Sequence, residues 1–278
     1  MIELDQMYNE DCLEGMKRIP DASVDCIITD LPYGTTDCAW DSVIPLDRLW
    51  DEYDRLSKPN APIVLFGSEP FSTMLRMSNL KAFKYDWIWD KVFGGNFVLA
   101  KYQPIKTHEI ISVFCSNGQC PTYNPIMIKR DVPIKAGGNT QKEGKAIKIA
   151  QTEHSKEFGE AHKTYDEKFP ESQLRFSCRA ERGLHPTQKP VALLRYLVLT
   201  YTNEGDTVLD SCKGSGTTAI ACLKEHRHFL GFELNKEYFD IAQRRIALER
   251  QQPSLDFTDG CPSVPTAPAE LHTFANRK

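Results

Sequence analysis

Short apolar runs alternate with helical patterns along most of this chain. Four runs bounded by turn residues predict buried strands at 23–30, 61–68, 206–211 and 226–234. Apolar residues at three- and four-residue spacing predict helices at 45–57, 190–202, 216–226 and 235–251. Strands that alternate with helices of this length predict an α/β fold, in which a doubly wound, mostly parallel sheet carries helices on both faces.

The alternation stops in two places. Residues 118–182 are polar, rich in Lys and Gly and weakly periodic, which predicts an insertion between two halves of one domain, 1–117 and 183–250. Residues 251–278 contain four prolines and little periodicity, which indicates a surface or disordered tail. With 278 residues, 41% of them hydrophobic, the chain can bury the core of one large domain with such an insertion.

Composition narrows the class of protein. No apolar run approaches the length of a membrane span, and the N-terminal stretch is acidic where a secretory signal would be basic and then apolar. The nine cysteines are scattered without a Cys-x-x-Cys pair, which argues against a disulfide framework and a zinc site. These features predict a cytoplasmic protein with no membrane contact and no metal.

The net charge of −4 hides a local basic block. Residues 91–150 contain nine Lys or Arg against three acidic residues. Such a block is a candidate contact to a phosphate backbone, although a solvated Lys-rich loop is the more common interpretation of the pattern alone. The candidate DNA-binding residues are Lys91, Lys129, Arg130, Lys135, Lys142, Lys145 and Lys148.

A glycine loop between two predicted strands indicates an adenosine-containing cofactor. One strand ends at Asp210, the loop spans 214–216, and the next strand ends in Glu233, nineteen residues beyond Gly214. A carboxylate at that position can accept both ribose hydroxyls. No Lys follows the last glycine, so the loop is not a P-loop, and S-adenosylmethionine, which has no phosphates, is favoured over NAD. The alternative is a tight strand-to-helix turn without a ligand.

The stretch "IITDLPYGTT" places an acid, a proline and an aromatic ring directly after a buried strand. Pro and Gly are typical of an ordinary exit from strand to loop. The other interpretation is a pocket. His108 and Glu109 resemble a metal pair only superficially, because no second His follows four residues on, and a hydrogen bond at a strand start is favoured. Trp87 and Trp89 alternate as half-buried core positions do, rather than as contacts to a flipped strand.

The motifs and their order resemble a known family. "DLPY" comes first, then a variable region, then "HPTQKP", then "DSCKGSGTT" and "GFEL". This order resembles the beta group of adenine-N6 and cytosine-N4 DNA methyltransferases, many of them encoded by phages or restriction-modification systems. The likeness runs from about residue 2 to 247. It implies a Rossmann-like fold that binds S-adenosyl-L-methionine, with a catalytic half at 1–117, a target-recognition region at 118–182 and a cofactor-binding half at 183–250.

The resemblance implies a role for each residue of "DLPY", namely Asp30, Leu31, Pro32 and Tyr33. The Asp30 carboxylate and the Leu31 carbonyl would each accept a hydrogen bond from an exocyclic amino group, and Tyr33 would stack on the base. Family members usually have Pro at the Leu31 position, but the required group belongs to the main chain. The target base must be flipped out of the duplex to reach them.

The resemblance also assigns the cofactor contacts. Asp210 and the loop would hold the methionine end, Glu233 the ribose, Thr187 and Lys189 the methionine carboxylate or amino group, and Asp11 one side of the adenine. The full set is Asp11, Phe66, Gly67, Ser68, Thr187, Lys189, Asp210, Gly214, Ser215, Gly216, Thr217 and Glu233. Lys213 stands where the family has a hydrophobic residue, and we expect it to point to solvent or to a DNA phosphate.

Asp rather than Ser at position 30 favours adenine as the target, on the resemblance alone. The leading hypothesis is a DNA adenine-N6 methyltransferase that acts on double-stranded DNA. Its rivals are a cytosine-N4 enzyme and a catalytically inactive DNA-binding relative. Methyltransferases of protein glutamine or RNA guanine can share a related motif, but they usually place the glycine loop before it. Family habit alone suggests a homodimer.

Overall fold

The computed structural model describes residues 2–34, 43–95, 97–118, 120–135, 164–178 and 188–251. The chain divides into two compact units. The main unit comprises Met1–Asn124 and Glu171–Lys278, and the small unit comprises Pro125–Pro170.

Ten strands are described. They are β1 (Gln6–Tyr8), β2 (Cys26–Thr29), β3 (Ile63–Gly67), β4 (Phe83–Asp90), β5 (His108–Phe114), β6 (Ile128–Lys135), β7 (Thr164–Lys168), β8 (Gln173–Arg175), β9 (Thr207–Asp210) and β10 (His228–Phe232). Eight of them form the sheet of the main unit in the order β1-β10-β9-β2-β3-β5-β4-β8. The first five in this order are parallel, β5 is antiparallel to both of its neighbours, and β8 is parallel to β4. The predicted α/β fold with a mostly parallel sheet is confirmed.

Six α-helices are described: α1 (Cys12–Met16), α2 (Leu46–Leu56), α3 (Phe71–Ser78), α4 (Val191–Tyr201), α5 (Thr217–Lys224) and α6 (Lys236–Gln251). The four predicted helices correspond to α2, α4, α5 and α6. The predictions do not include α3, and they do not include α1, whose five residues are too few to show a helical period. No helix among the described residues is long and apolar enough to cross a membrane.

The central strands are buried along their whole length. Every residue of β2, β3 and β9 is buried, as expected for parallel strands covered on both faces. On β4 the indoles of Trp87 and Trp89 are 4% and 1% exposed, and Trp87 Nε1 donates a hydrogen bond of 2.6 Å to the Tyr201 hydroxyl. The core interpretation of these two tryptophans is therefore confirmed.

The topology creates a crevice at the carboxyl edge of the sheet. The chain passes from β9 to β10 in one direction along the sheet and from β2 to β3 in the other. Ligands bind α/β sheets at such a switch point, outside the carboxyl ends of the strands. Because β5 is antiparallel, it begins at this edge, with Ile110 paired to Gly67 at the end of β3.

In the small unit, β6 and β7 form an antiparallel pair. Lys129 is exposed, and Arg130 Nε donates a hydrogen bond of 3.0 Å to the Glu167 carbonyl. Lys135 pairs with Thr164 in the ladder. Lys142, Lys145 and Lys148 lie outside the described residues, so their contact to DNA stays a prediction. The division at 118–182 also stays a prediction, and β8, within that range, belongs to the main sheet.

Candidate active site

A cavity of about 490 Å³ opens at the carboxyl edge of the sheet. The predicted site residues that line it are Asp11, Asp30, Leu31, Pro32, Tyr33, Phe66, Lys189, Asp210, Gly214, Ser215, Thr217 and Glu233. Gly67 and Gly216 each adjoin a lining residue in the chain without lining the cavity themselves, and Ser68, two residues after Phe66, does not line it either. Thr187 lies outside the described residues. The fold thus brings the predicted catalytic motif and the predicted cofactor loop into one cavity.

Asp210, at the end of β9, is fixed by neutral donors. Its Oδ1 accepts a hydrogen bond of 2.9 Å from Thr29 Oγ1, and its Oδ2 accepts one of 2.5 Å from Thr218 Oγ1. The Cys212 amide adds a third at 3.2 Å. Burial raises the pKa of Asp210, and the Thr218 hydroxyl, the charge of Lys213 and the Thr29 hydroxyl oppose that shift by favouring the ionised form.

Glu233, directly after β10, is held by two backbone amides. Gly214 N donates to Oε2 at 2.8 Å, and Asn235 N donates to Oε1 at 2.7 Å. Burial raises the pKa of Glu233 against these two bonds, and the charge of Asp210 adds to the rise. Each carboxylate oxygen has a second lone pair, so the group can also accept hydrogen bonds from a pair of hydroxyls in the cavity.

The glycine loop is held from behind by α6. Gly216 has φ of 80°, in the left-handed region, and a Cβ on it would lie 2.8 Å from the Cβ of Ala242. Arg245 Nη1 donates to the Ser215 carbonyl at 2.6 Å and to the Ser215 hydroxyl at 2.9 Å. Glycine is required at 216 by both conformation and packing, which fixes the loop that Glu233 contacts.

Asp11 caps the first turn of α1. Its Oδ1 accepts hydrogen bonds from the amides of Leu13, at 2.9 Å, and Glu14, at 3.2 Å. No described residue donates a hydrogen bond to Oδ2. Since Asp11 lines the cavity, Oδ2 is available to accept from a ligand amino group.

Lysines compensate the acids at the other end of the cavity. Asp30, directly after β2, accepts a hydrogen bond of 2.7 Å from the Tyr33 hydroxyl on Oδ1 and one of 2.6 Å from Lys189 Nζ on Oδ2. Lys189 Nζ also lies 3.2 Å from Glu109 Oε2, and Lys91 Nζ donates to Glu109 Oε1 at 2.9 Å. The four groups form a chain of alternating charge that ends on Asp30.

The pKa values of this chain follow from its pairing. Burial alone would lower the pKa of Lys189, but the carboxylates of Asp30 and Glu109 outweigh it and raise that pKa above its ordinary value. Burial alone would raise the pKa of Glu109, but Lys189 and Lys91 outweigh it and lower that pKa. Glu109 and Lys189 are therefore both charged at neutral pH.

The site contains Glu109, which the sequence analysis does not assign to it, and Lys189 has other contacts than the resemblance implies. The resemblance implies Lys189 beside the methionine moiety, whereas its ammonium contacts Asp30 and Glu109 and lies 5.1 Å from the centre of the Phe66 ring. The sequence pattern does not identify Glu109 as a site residue, because only the antiparallel direction of β5 brings its second residue to the carboxyl edge.

The prediction for Lys213 is wrong. Its side chain is 5% exposed, and Nζ lies 3.8 Å from the centre of the Phe229 ring, with no described residue accepting a hydrogen bond from it. The Lys213 amide donates to the Phe232 carbonyl at 3.0 Å, and Gly231 has no Cβ to occupy the path of the side chain. These contacts turn the side chain across β10, and burial lowers its pKa to about 8.

A family profile matches most of the chain. The profile, described as DNA methylase of the N6/N4 type, matches residues 24–244. The chain belongs to the N6/N4 family of DNA methylases. The family that the motif order indicates is thereby confirmed. Enzymes of this family take the methyl group from S-adenosylmethionine, which is the cofactor of this methylase, and they act on DNA.

Two relatives match most of the methylase. It is 29% identical over 249 residues to the type II methyltransferase M.HpaI of Haemophilus parainfluenzae, covering 85% of this chain and 72% of that one. It is also 29% identical over 257 residues to the DNA adenine methyltransferase YhdJ of Escherichia coli K12, covering 88% of this chain and 83% of that one.

Two solved structures share the fold. The M1.HpyAVI complex with S-adenosylmethionine matches with a TM-score of 0.56 and 24% identity, covering 86% of this chain and 98% of that one. The cytosine-N4-specific PvuII DNA methyltransferase matches with a TM-score of 0.61 and 14% identity, covering 88% and 90%.

The residues of the cavity fit S-adenosylmethionine. No described Lys or Arg forms an ion pair with Asp210 or Glu233, which suits a ligand that carries a sulfonium and an ammonium. The ammonium of Lys213 lies over Phe229, so the loop offers no cation to a phosphate. Asp11 Oδ2 and Glu233 provide acceptors for an adenine amino group and a ribose. Among the described residues, no cluster of His, Cys, Asp and Glu could hold a metal.

Proposed function

We propose that this methylase transfers a methyl group to N6 of adenine in double-stranded DNA, with the target base flipped into the cavity. The observation that carries the proposal is that Asp30 and Glu233 face one cavity from the ends of two strands. Asp at the first position of "DLPY" favours adenine, and the relative YhdJ is a DNA adenine methyltransferase.

The chemistry at Asp30 follows from the nature of the amino group. The lone pair of an exocyclic amine is delocalised into the ring, which makes it a poor nucleophile. The Asp30 carboxylate and the Leu31 carbonyl would each accept a hydrogen bond from the amino group and so favour a pyramidal nitrogen with an available lone pair. S-adenosylmethionine supplies a methyl group already activated on a sulfonium. The protein therefore has mainly to position the amine.

Tyr33 is fixed for a role beside the target base. Its hydroxyl donates to Asp30, and its ring stacks on Phe71 with 5.1 Å between centres and 25° between planes. An ordered ring next to the acceptor can stack on a flipped base without a large loss of side-chain entropy. Stacking of this kind helps to offset the unpairing of the base, which costs about a few kcal/mol.

The hydrogen-bond partners of Asp30 leave acceptor sites on its carboxylate. Lys189 and Tyr33 occupy one lone pair on each Asp30 oxygen, and an ionised carboxylate has about four acceptor sites. Asp30 can therefore keep both partners while it accepts a hydrogen bond from the base. We assign Glu109 the role of positioning Lys189, because it balances the charge of Lys189 and does not itself pair with Asp30.

The basic residues at 91–150 are proposed to contact the DNA backbone, and 118–182 to select the target sequence. The homodimer suggested by the resemblance and the cytoplasmic location stay predictions. Neutralisation of phosphates by lysine and arginine side chains is the usual source of affinity for a DNA backbone, and it is the physical basis of this proposal.

The test is to incubate the protein with plasmid DNA and labelled S-adenosylmethionine, identify the modified nucleoside by mass and map it by sequencing. We expect N6-methyladenine. N4-methylcytosine would contradict adenine as the target and support the cytosine alternative. The cytosine-N4-specific PvuII enzyme shares the fold. Cofactor binding by calorimetry with no methylated nucleoside would identify an inactive DNA-binding relative.

A further inference from the structure

A short segment between β4 and β5 carries apolar side chains that the core does not cover. In this tip segment, residues 97–106, Val98 is 87% exposed, Tyr102 is 85% exposed and Phe97 is 69% exposed. A group of large apolar side chains that face solvent together often marks an interaction site. The tip segment is therefore a candidate contact surface.

Backbone hydrogen bonds hold the tip segment in a defined shape. At its base, Lys91 N donates to the Thr107 carbonyl at 2.8 Å and Gly95 N donates to the Lys106 carbonyl at 3.2 Å. At its end, a 3₁₀ turn at Phe97–Leu99 is followed by a bond of 2.9 Å from Tyr102 N to the Leu99 carbonyl. The exposed side chains are thus presented on an ordered turn.

The tip segment stands beside the Asp30 end of the cavity. The carboxyl end of β4 and the start of β5 lie at the edge where the cavity opens, because Asp90 pairs with His108 and Ile110 with Gly67. The ammonium of Lys106 contacts the hydroxyl of Ser68, two residues after the lining residue Phe66. The segment therefore emerges close to the pocket proposed for the flipped base.

The charge of this stretch selects the kind of partner. Residues 91–108 contain three lysines and no acidic residue. Two of the lysines have partners at the edge, Lys91 with Glu109 and Lys106 with Ser68, whereas Lys101 is exposed on the tip segment itself. Apolar side chains beside an exposed ammonium suit a partner with stacked apolar faces and a phosphate backbone.

We propose that the tip segment inserts Val98 and Tyr102 into the duplex beside the target base, where they fill the space that the flipped base leaves, while Lys101 binds a backbone phosphate. Apolar wedges of this type stabilise distorted DNA by replacing lost base stacking. The inference rests on the proposed function, because it takes DNA as the partner and base flipping as the route to Asp30.

The first test compares binding of the full-length protein to two fluorescein-labelled duplexes by fluorescence anisotropy. One duplex is fully paired, and the other has an abasic site that a wedge can fill. We expect the wild type to bind the abasic duplex about tenfold more tightly, and the double variant Val98→Ser, Tyr102→Ser to lose most of that preference. Leu80→Ser is the matched control, since Leu80 is 61% exposed just before β4, at its amino end.

Two results would overturn the wedge. One is an unchanged preference in the double variant, and the other is a wild type that binds the two duplexes equally. The assay needs no methyl transfer, so it separates this inference from the proposed function. Failure of the proposed function appears instead as the absence of methylated nucleoside in the plasmid assay.

A second measurement tests Lys101. Lys101→Ala should reduce the slope of log affinity against log salt concentration by about 0.9, the value for one phosphate contact. Lys81→Ala is the control, because Lys81 is exposed before the amino end of β4, at the opposite edge of the sheet, and should leave the slope unchanged. An equal slope in Lys101→Ala and the wild type contradicts the phosphate contact.

Discussion

The two ends of the cavity hold their acids in opposite ways. At the cofactor end, hydroxyls and backbone amides bind Asp210 and Glu233, and burial raises the pKa of both. At the target end, ammonium groups bind Asp30 and Glu109, and Lys189 and Lys91 lower the pKa of Glu109 despite its burial.

The difference reflects what each end receives. S-adenosylmethionine carries two cationic groups, so acids that bind it gain from having no lysine or arginine in direct ion-pair contact with them. The target base is neutral, so acids at that end need a permanent counter-charge, because an unpaired buried charge is costly. Under the proposed function, the cofactor end would take most of its counter-charge from the ligand, whereas the target end takes its counter-charge from the chain.

The largest effect is expected from Asp30→Ala. Removing the carboxylate takes away the charged acceptor for the amino group, so methyl transfer should fall by about 1000-fold. Cofactor affinity, measured by calorimetry, should change by less than about threefold, because Asp30 lies at the other end of the cavity. Asp30→Asn keeps an acceptor oxygen and should lose less activity. Substantial activity in Asp30→Ala contradicts the assignment of this end.

Glu233→Ala should lower the affinity for the cofactor. Loss of a carboxylate that accepts from two hydroxyls should weaken S-adenosylmethionine binding by about 30-fold, the equivalent of about 2 kcal/mol. Glu237→Ala, at an exposed position in the first turn of α6, is the matched control and should bind normally. Equal affinities in the two variants would remove Glu233 from the site.

The cofactor end should also respond to pH. Because burial raises the pKa of Asp210 and Glu233, both acids take up protons at a higher pH than an ordinary carboxyl, and the protonated forms no longer attract the cationic ligand. Affinity should fall as the pH is lowered from neutral, and the fall should begin at a higher pH than an ordinary carboxyl would give. Glu233→Gln should show a weaker dependence. Calorimetry over this pH range measures the affinity for S-adenosylmethionine. A wild-type affinity that does not change with pH would contradict the proposed difference between the two ends of the cavity.

Glu109→Gln tests the target end more finely. Lys189 would then be balanced by Asp30 alone and bind it more strongly, so Asp30 becomes a weaker acceptor and kcat should fall about fivefold. The pKa of Glu109 is lowered in the folded state, so its contribution to stability is present above its unfolded pKa of 4.5 and is lost as pH falls through the lowered value. The variant should therefore lose less stability on acidification than the wild type does, as measured by urea unfolding.

A merely structural Glu109 gives a different result. In that case the variant would lose stability at neutral pH while kcat, measured at saturating cofactor and DNA, stayed at the wild-type value. A change in kcat with an unchanged KM for S-adenosylmethionine supports the positioning role.

Sequence patterns predict most of the site, because the motif residues sit directly after buried strands. Asp30 follows β2, Asp210 ends β9 and Glu233 follows β10, and parallel strands bring their carboxyl ends together whatever the loops do. Local pattern and topology agree here, so order along the chain is enough to place these three acids in one cavity.

Local sequence patterns do not predict which residues long-range packing brings to the site. Glu109 reaches the site because β5 runs against its neighbours, and a strand direction cannot be read from seven residues of local pattern. The partners of Lys189 depend in turn on Glu109. The tip segment is missed for a related reason, since its exposure is a property of the folded surface and its apolar residues alone would suggest core.

Lys213 is the exception to the contrast between the two ends, and it provides the smallest expected effect. This lysine lies near the cofactor acids, yet its ammonium has no hydrogen-bond acceptor among the described residues, and burial lowers its pKa from 10.5 to about 8. Below that pH the folded protein carries a buried charge that the unfolded chain exposes to water. Lys213→Met keeps a similar length without the charge, so it should increase the free energy of unfolding by about 1 kcal/mol at neutral pH.

The pH dependence of that gain separates charge from packing. The folded lysine becomes neutral near pH 8, whereas the unfolded one stays charged up to about 10.5, so wild-type stability gains from Lys213 as pH rises through this window. The advantage of Lys213→Met should therefore shrink as the pH rises above about 8, as measured by urea unfolding of both proteins at each pH. A constant advantage would assign the effect to packing of the methionine against Phe229. A less stable variant would mean that the cation–ring contact outweighs burial, and Lys213 would then be a stabilising cation at the cofactor end.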